Sequence, residues 1–178
     1  PDAPSVSVTA SDDGVKLSGT VTVNDGSDCS SSAVQWSLGM DGLIPRPCYA
    51  NNAKVEADQN ALVFETSKLS SDLYINGPMQ ADIWMSATNS QAAIAVRIDD
   101  VDASGKATPI STGIQSAASR AVDPSRSRYV NGVMVQPWHP FTAASMQPLK
   151  ANEPVLVQVE IFPAAALIRS GHKLRIAI

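Results

Sequence analysis

The two histidines are the side chains of this sequence best suited to acid–base chemistry. They lie in Trp138-His139-Pro140 and Gly171-His172-Lys173. A catalytic histidine of a Ser-His-Asp triad needs a nucleophile within reach and a carboxylate that orients its ring, and neither context supplies these locally. The Gly-x-Ser-x-Gly signature of a hydrolase nucleophile is absent. We therefore predict no catalytic residue, with His172 bonding a loop carbonyl at the mouth of the last strand and His139 lining a surface or a domain junction.

The acidic residues Asp99, Asp100 and Asp102 are the next candidates for acid–base work. Adjacent residues of a strand point to opposite faces, so Asp99 and Asp100 cannot easily converge on one bond. We interpret the group as the end of a strand leading into a turn.

A metal site has only weak support. Asn24, Asp25 and Asp28 bring hard oxygens, which calcium prefers, into one loop, but their spacing does not match an EF-hand. A solvated turn is the simpler interpretation. Two cysteines and two histidines, well apart in sequence, make zinc improbable. We predict neither a metal nor a cofactor.

Cys29 and Cys48 lie in loop-like sequence on either side of an apolar stretch. We favour a disulfide between them, which would stabilise the chain by about 3 kcal/mol on the chain-entropy model and would imply an extracytoplasmic or secreted protein. Two unpaired thiols are the alternative, since the sequence gives no distance between the two residues.

The aromatic residues offer a binding surface. A sugar-stacking platform is one interpretation, and core or interface packing is the simpler one for most of them. The aromatic residues considered are Trp36, Trp84, Trp138, Tyr49, Tyr74 and Tyr129. Trp36 shares the face of Val34 and Leu38 and is assigned to the core, whereas Tyr129 and Trp138 are the better candidates for an exposed contact.

Period-two alternation dominates the elements that must position these residues. It predicts eight or more strands, separated by turns that contain Gly or Asn. The alternating segments begin at Val6, Val15, Val34, Leu62, Met79, Ile94, Val155 and Leu174. Gly19 falls on an apolar face and suggests a bulge or a close neighbour. The pattern indicates an all-β sandwich or jelly roll in a single domain over residues 1–178, with residues 1–4 as a linker remnant.

Helical signal is weak, and short turns near residues 116–120 and 164–167 are the helical elements expected. Residues 117–142 are rich in Ser, Pro, Arg and aromatic residues. We interpret them as a long crossover on the surface and name them the crossover segment.

The net charge is -4, and the sequence lacks the clustered Lys and Arg that binding to nucleic acid or to an anionic membrane would require. The sequence also contains no apolar run of about 20 residues, so we predict no membrane span. These two partner classes are set aside.

An ordered series of short segments resembles the C-terminal domain of the X-Pro dipeptidyl-peptidase and cocaine esterase (CocE/NonD) family of serine hydrolases. The series covers roughly residues 48 to 178. It includes Leu73-Tyr74-Ile75-Asn76-Gly77-Pro78, Val96-Arg97-Ile98-Asp99-Asp100-Val101, Ser119-Arg120, Pro137-Trp138-His139-Pro140-Phe141 and Gly171-His172-Lys173-Leu174-Arg175.

The resemblance implies a jelly roll of galactose-binding-like architecture, packed against an N-terminal α/β-hydrolase domain that carries the catalytic triad. It implies a non-catalytic role, supporting that domain and helping to enclose its active site. The family domain continues past the strand that begins at Lys173, so we expect the C-terminal end to be truncated. An unpaired strand edge there would favour pairing with another chain, and a homo-oligomer is a further expectation.

Tyr129, Trp138, His139 and Phe141 are the candidates for the contact with the hydrolase domain. A carbohydrate-binding module is the alternative function. A hydrolase in its own right would need a nucleophile and a base that the sequence does not supply.

Overall fold

The structure is a computed structural model that describes residues 5–12, 15–22, 52, 53, 56 and 61–178. In these residues ten strands are present and no helix has seven or more residues. The strands are β1 Ser5–Asp12, β2 Val15–Thr22, β3 Val63–Glu65, β4 Leu73–Ala87, β5 Ala93–Val101, β6 Ala107–Ser116, β7 Arg128–Val130, β8 Val133–Gln136, β9 Val155–Ile168 and β10 Lys173–Ala177. The described part also contains two 3₁₀ turns, Ala117–Ser119 and Ala143–Ser145, and α-helical residues at 52, 53 and 56. The predicted all-β class is therefore confirmed.

The strands form three sheets, in the orders β2-β1-β4-β9, β3-β10-β5-β6 and β7-β8. The strand pairs with a defined register are antiparallel, as the predicted alternation requires, and they fit the sandwich class. Strands β1 and β2 keep one continuous register, in which Val8 is opposite Gly19. A bulge at Gly19 is therefore wrong.

The described residues fall into two compact units, each drawn from separated segments. The first unit takes its residues from Pro1–Val23, Gly77–Val96 and Gly113–Pro163. The second takes them from Asn24–Asn76, Arg97–Thr112 and Ala164–Ile178. The single domain over residues 1–178 stays a prediction.

The first unit has an apolar interior built by alternation. Met85 of β4, Val96 of β5 and Val159 of β9 are buried, each with further buried neighbours two residues along its strand. Burying side chains of this size stabilises a fold by about 1.5–3 kcal/mol each. The predicted apolar faces of β4, β5 and β9 are confirmed here.

The second unit mixes apolar and polar groups in its interior. Ile98, Val101 and Ile168 are buried, and so are Asp99 and Glu56. In β10 the alternation is less clear, because Lys173, Leu174, Arg175 and Ile176 are all half-buried. Polar residues of this unit must therefore find their partners inside it.

Local sequence signals were correct at most turns and wrong at two places. Asn131, Gly132, Gly105 and Gly171 adopt the positive φ expected of turn residues. Gly77 also has a positive φ of 120°, but it lies within β4 and not in the predicted turn. The helical turn expected at 164–167 is wrong, because β9 continues to Ile168.

Candidate functional site: the crossover segment and a buried polar cluster

The crossover segment begins in the 3₁₀ turn Ala117–Ser119, which is fixed by side-chain donors. Arg120 Nη1 donates to the carbonyl oxygen of Ala117 at 3.0 Å and also to that of Gln147. Gln115 Nε2 donates to the carbonyl oxygen of Ser119 at 2.9 Å. The expected turn near residues 116–120 is confirmed, and its last carbonyls are satisfied by donors outside the turn.

A hairpin that the sequence did not predict occupies the middle of the segment. Strands β7 and β8 pair across the Asn131-Gly132 turn, with a bulge between Arg128 and Tyr129. Tyr129 is 46% exposed and Val133 is 65% exposed. The hairpin therefore presents an aromatic ring and a branched apolar side chain to solvent.

Trp138 is held beside the hairpin by its backbone. Its N–H donates to the hydroxyl of Ser127 at 2.9 Å, and its carbonyl accepts from the N–H of Asp123 at 2.9 Å. The Arg126 guanidinium lies 4.1 Å from the ring centroid, a cation–π contact that covers one face of the indole. The side chain is still 43% exposed.

A turn at Asp123 supports this arrangement. The Asp123 carboxylate accepts from both the N–H and the hydroxyl of Ser125, at 3.0 and 2.6 Å. The Ser125 hydroxyl is the main cause of the lowered pKa of Asp123, and burial opposes it. The turn that carries Arg126 is therefore fixed by an ionised carboxylate.

His139 is buried beneath these exposed residues. Its Nδ1 lies 3.0 Å from the carbonyl oxygen of Ala121 and its Nε2 lies 2.9 Å from that of Gln158. The ring of Phe141, which is 65% exposed, lies 5.6 Å away. Because both ring nitrogens face backbone carbonyls, His139 ties the segment to β9 and is not available as a general base.

Of the four residues predicted to contact another domain, the structure thus exposes Tyr129, Trp138 and Phe141 and buries His139. The contact itself stays a prediction. His139 can act on such a surface only by holding its neighbours in place.

The second unit contains a polar cluster, which we define as the buried residues Asn52, Glu56 and Asp99, the half-buried Arg175 and the exposed Glu65. Arg175 is its centre. Its Nη1 donates to Glu56 Oε2 at 3.1 Å and its Nε donates to Glu65 Oε1 at 2.9 Å. Asn52 Nδ2 donates to Asp99 Oδ1 at 3.0 Å. The cluster joins β3, β5 and β10 through side chains as well as through the backbone ladder.

The two glutamates of the cluster differ in their electrostatics. Burial, together with a hydrogen bond and repulsion from Asp99, raises the pKa of Glu56 to about 8 against the pull of Arg175 and Arg97. Glu65 has a lowered pKa, chiefly because Lys173 donates to it at 2.7 Å, with Arg175 adding to the effect. One carboxyl group therefore favours the neutral form and its neighbour favours the charged form.

A cavity of about 240 Å³ lies beside the cluster in the second unit. Its lining consists of Glu65, Lys68, Val101, Asp102, Ala103, Gly105, Gly171, Lys173 and Arg175. Lys173 and Arg175 both bind Glu65, so their charges are already paired. The arrangement stabilises the fold and does not place a nucleophile beside a base.

His172 has a different partner from the one predicted. Its Nδ1 lies 2.8 Å from Asp100 Oδ1, so the interpretation that it bonds a loop carbonyl is wrong. Asp102, by contrast, closes the predicted turn by accepting from the N–H of Ser104 at 2.8 Å and of Lys106 at 3.1 Å. A carboxylate that orients an imidazole supplies two of the three members of a catalytic triad. The third is missing, because the ring has no hydroxyl or thiol partner in the part of the chain that the structure describes.

Several candidates lie outside the described residues. They are the cysteines Cys29 and Cys48, the calcium candidates Asn24, Asp25 and Asp28, and the aromatics Trp36 and Tyr49. The described aromatics Tyr74 and Trp84 are 65% and 53% exposed, so neither belongs to the core. The sequence analysis did not identify Glu56 or Arg175 as site residues. The one signal that could have indicated them was the pair of basic residues Lys173 and Arg175 on one face of β10.

Comparison with known proteins gives a family for the chain. The model of the X-Pro dipeptidyl-peptidase C-terminal non-catalytic domain matches residues 3–178. A putative serine esterase of Mycobacterium bovis is 25% identical over 141 residues, and a putative serine esterase of Mycobacterium tuberculosis matches equally well. The match covers 79% of this chain and 21% of each esterase. The chain thus spans about a fifth of the length of these relatives.

Solved structures agree on the fold. A CocE/NonD family hydrolase of Staphylococcus aureus superposes with a TM-score of 0.60 at 21% identity, over 68% of this chain and 23% of that one. An aminopeptidase of a Thaumarchaeota archaeon superposes with a TM-score of 0.53 at 16% identity, over 72% of this chain and 20% of that one. The predicted resemblance is confirmed, and the chain belongs to the X-Pro dipeptidyl-peptidase C-terminal non-catalytic domain family.

Proposed function

We propose that this chain is the non-catalytic β-sandwich domain of a serine hydrolase of the dipeptidyl-peptidase or esterase type, and that it supports the catalytic domain and helps to enclose its active site. The family match over residues 3–178 carries the proposal. The serine esterase name of two relatives supports the hydrolase class of the whole protein.

The exposed side chains of the crossover segment support a docking role. Tyr129, Val133, Trp138 and Phe141 leave apolar surface in water, although their backbone is fixed by the contacts described above. Aromatic residues on a preorganised support are typical of interfaces, because little side-chain entropy is lost when they bind. We therefore assign the contact with the catalytic domain to this segment.

The non-catalytic role is tested by assaying the purified 178-residue chain with aryl esters and X-Pro amides. The expected result is hydrolysis no faster than in buffer. Turnover that a serine-directed inhibitor abolishes would contradict the proposal. Such turnover would require a nucleophile and base within this chain.

The docking role is tested in the full-length gene product that contains this chain. Tyr129→Ser should lower the temperature of thermal inactivation and reduce kcat/KM, because it removes apolar contact area from the interface. Tyr74→Ser is the matched control, since Tyr74 is also an exposed tyrosine but lies outside the crossover segment. Equal effects of the two changes, or none from Tyr129→Ser, would contradict the assignment.

A carbohydrate-binding module is the second candidate, and the exposure of Trp84 and Trp138 favours it. Arg126 already covers one face of Trp138, which weighs against stacking of a sugar there. Affinity-gel electrophoresis with a panel of polysaccharides decides the matter. Retardation that is lost in Trp138→Ala would favour this candidate over the docking role.

We also propose that Cys29 and Cys48 are bridged and that the protein works outside the cytoplasm. The spacing of the cysteines in loop-like sequence supports this pairing. Titration of the denatured, unreduced chain should reveal no reactive thiol. Two reactive thiols in protein prepared under oxidising conditions would contradict the bridge.

A further inference from the structure

Two carboxyl groups meet in the interior of the second unit. The side chains of Glu56 and Asp99 are both fully buried, and Arg175, which binds Glu56, is the residue of β10 paired with Asp99 of β5. Glu56 Oε1 and Asp99 Oδ2 have no hydrogen-bond partner among the described residues. An ionised carboxylate only accepts hydrogen bonds, so a bond between two carboxyl groups requires a proton on one of them.

We propose that Glu56 and Asp99 share a single proton, and that this contact between the two carboxyl groups is a pH-sensitive latch, which joins Glu56 to β5 and opens when the proton is lost. The proton satisfies both of the otherwise unpartnered oxygens. Without it, two like charges face each other in the interior, where desolvation makes their repulsion strong.

The charged groups around Glu56 and Asp99 explain why one proton stays bound to this pair of carboxyl groups near neutral pH. On β5, Asp99 raises the pKa of Glu56 and Arg97 lowers it. On β10, Arg175 binds Glu56 Oε2, but Arg175 also binds Glu65 of β3. Glu65 is bound by Lys173 as well. Arg175 therefore does not neutralise Glu56 alone. Burial and Asp99 outweigh the two arginines, and the pKa of Glu56 rises to about 8.

The latch also has fixed neutral partners. Asn52 Nδ2 donates to Asp99 Oδ1 at 3.0 Å, and the carbonyl oxygen of Glu56 accepts from the N–H of Ala61 at 2.9 Å. These bonds do not titrate. Loss of the proton therefore acts on the carboxyl contact and leaves the amide contacts in place.

The direction of the pH effect follows from linkage. Because the pKa of Glu56 is higher in the folded chain than in the unfolded chain, the folded chain binds more protons between the two values. The contribution of Glu56 to stability is therefore fully present below its unfolded pKa and is lost as the pH rises through its folded pKa. A folded pKa near 8 predicts a roughly tenfold fall in the folding equilibrium constant between about pH 7 and about pH 9.

The test is chemical unfolding of the 178-residue chain between about pH 7 and about pH 9, a window above the ordinary titration of histidine. Wild type should show the tenfold loss. Glu56→Gln should remove it, because an amide donates to Asp99 at every pH. Asp72→Asn is the matched control and should keep the loss, because Asp72 has a lowered pKa and pairs with Arg169, outside the cluster. Parallel profiles for wild type and Glu56→Gln would overturn the proposal.

Infrared spectroscopy of the wild type reads the proton directly and does not depend on the variants folding. A protonated carboxylic acid band should be present at about pH 7 and should disappear by about pH 9. Replacing either partner, by Glu56→Gln or Asp99→Asn, should change this band, whereas Asp72→Asn should not. A wild-type spectrum without the band at about pH 7 would overturn the shared proton.

Discussion

At the scale of single residues, Gly113 shows how the absence of a side chain allows two strands, β6 and β9, to approach each other closely. It lies in β6, and a Cβ built on it would overlap the carbonyl oxygen of Glu160 and stand 3.1 Å from the Cα of Ile161. Both obstacles are backbone atoms of β9, so neither can rotate away. The position excludes every residue that has a Cβ unless the strands shift.

Gly113→Ala should therefore lower the free energy of unfolding by about 1–3 kcal/mol, the usual cost of overpacking. Gly132→Ala is the matched control, because nothing lies within 4 Å of its missing Cβ and only its positive φ opposes the change. That control should cost about 1 kcal/mol. Denaturant unfolding of both variants measures the difference. A Gly113→Ala chain as stable as wild type would show that β6 and β9 do not approach this closely.

At the scale of elements, β6 is an example of a strand that the sequence pattern does not predict, because its buried positions are not apolar and bulky. Its buried positions include Ala107, Ser111, Gly113 and Gln115. These small or polar residues give no apolar alternation, although each is buried by its neighbours in space. The strands β4, β5 and β9 were predictable because their buried faces carry Ile, Val and Met. The hairpin of β7 and β8 was missed because it exposes its apolar side chains.

The candidate site divides in the same way. Tyr129, Trp138 and Phe141 could be predicted as exposed from their place in a Ser- and Pro-rich segment. Glu56 and Arg175 could not, because they are 119 residues apart in sequence and meet only through the pairing of β10 with β3 and β5. Long-range pairing of polar groups leaves no local pattern for a sequence argument to use.

Arg120 stabilises the 3₁₀ turn Ala117–Ser119, because its guanidinium group donates to the carbonyl of Ala117 in that turn and to that of Gln147. Arg120→Ala should lower the free energy of unfolding by about 2 kcal/mol, because the carbonyls of Ala117 and Gln147 lose a charged donor. Arg120→Lys should recover only part of this loss, because both bonds come from Nη1 of a rigid planar group, which the flexible lysine ammonium does not reproduce. Calorimetric unfolding of the two variants provides the comparison. Equal stability of Arg120→Ala and wild type would show that water replaces the donor.

At the scale of the whole molecule, the two units differ in what stabilises them. The first unit buries Ile, Val and Met from several strands, and its charged groups lie mostly at turns. The second unit buries Asp99 and Glu56 and depends on a paired arginine. A buried charge is stabilised only while its partners are present. We therefore expect the second unit to respond more strongly to pH than the first.

Acid should destabilise the whole chain, because carboxylates in both units have lowered pKa values. The causes are Lys173 for Glu65, the N–H of Ser170 for Asp72, the Ser104 hydroxyl for Asp102 and the Ser125 hydroxyl for Asp123. A depressed folded pKa gives stability that is present above the unfolded value and is lost as the pH falls through the folded value. Below about pH 4.5 these four contributions therefore decline together.

Asp102→Asn separates this effect from simple loss of the turn. The amide oxygen of asparagine can still accept from the N–H groups of Ser104 and Lys106, so the turn should persist near neutral pH. The variant should resemble wild type at about pH 6 and should lose less stability than wild type by about pH 3, because one titrating group is gone. Asp102→Ala, which removes the acceptor, should be weaker at both values. Denaturant midpoints across this range decide the point, and identical acid profiles for wild type and Asp102→Asn would show that the Asp102 carboxylate does not contribute to acid sensitivity.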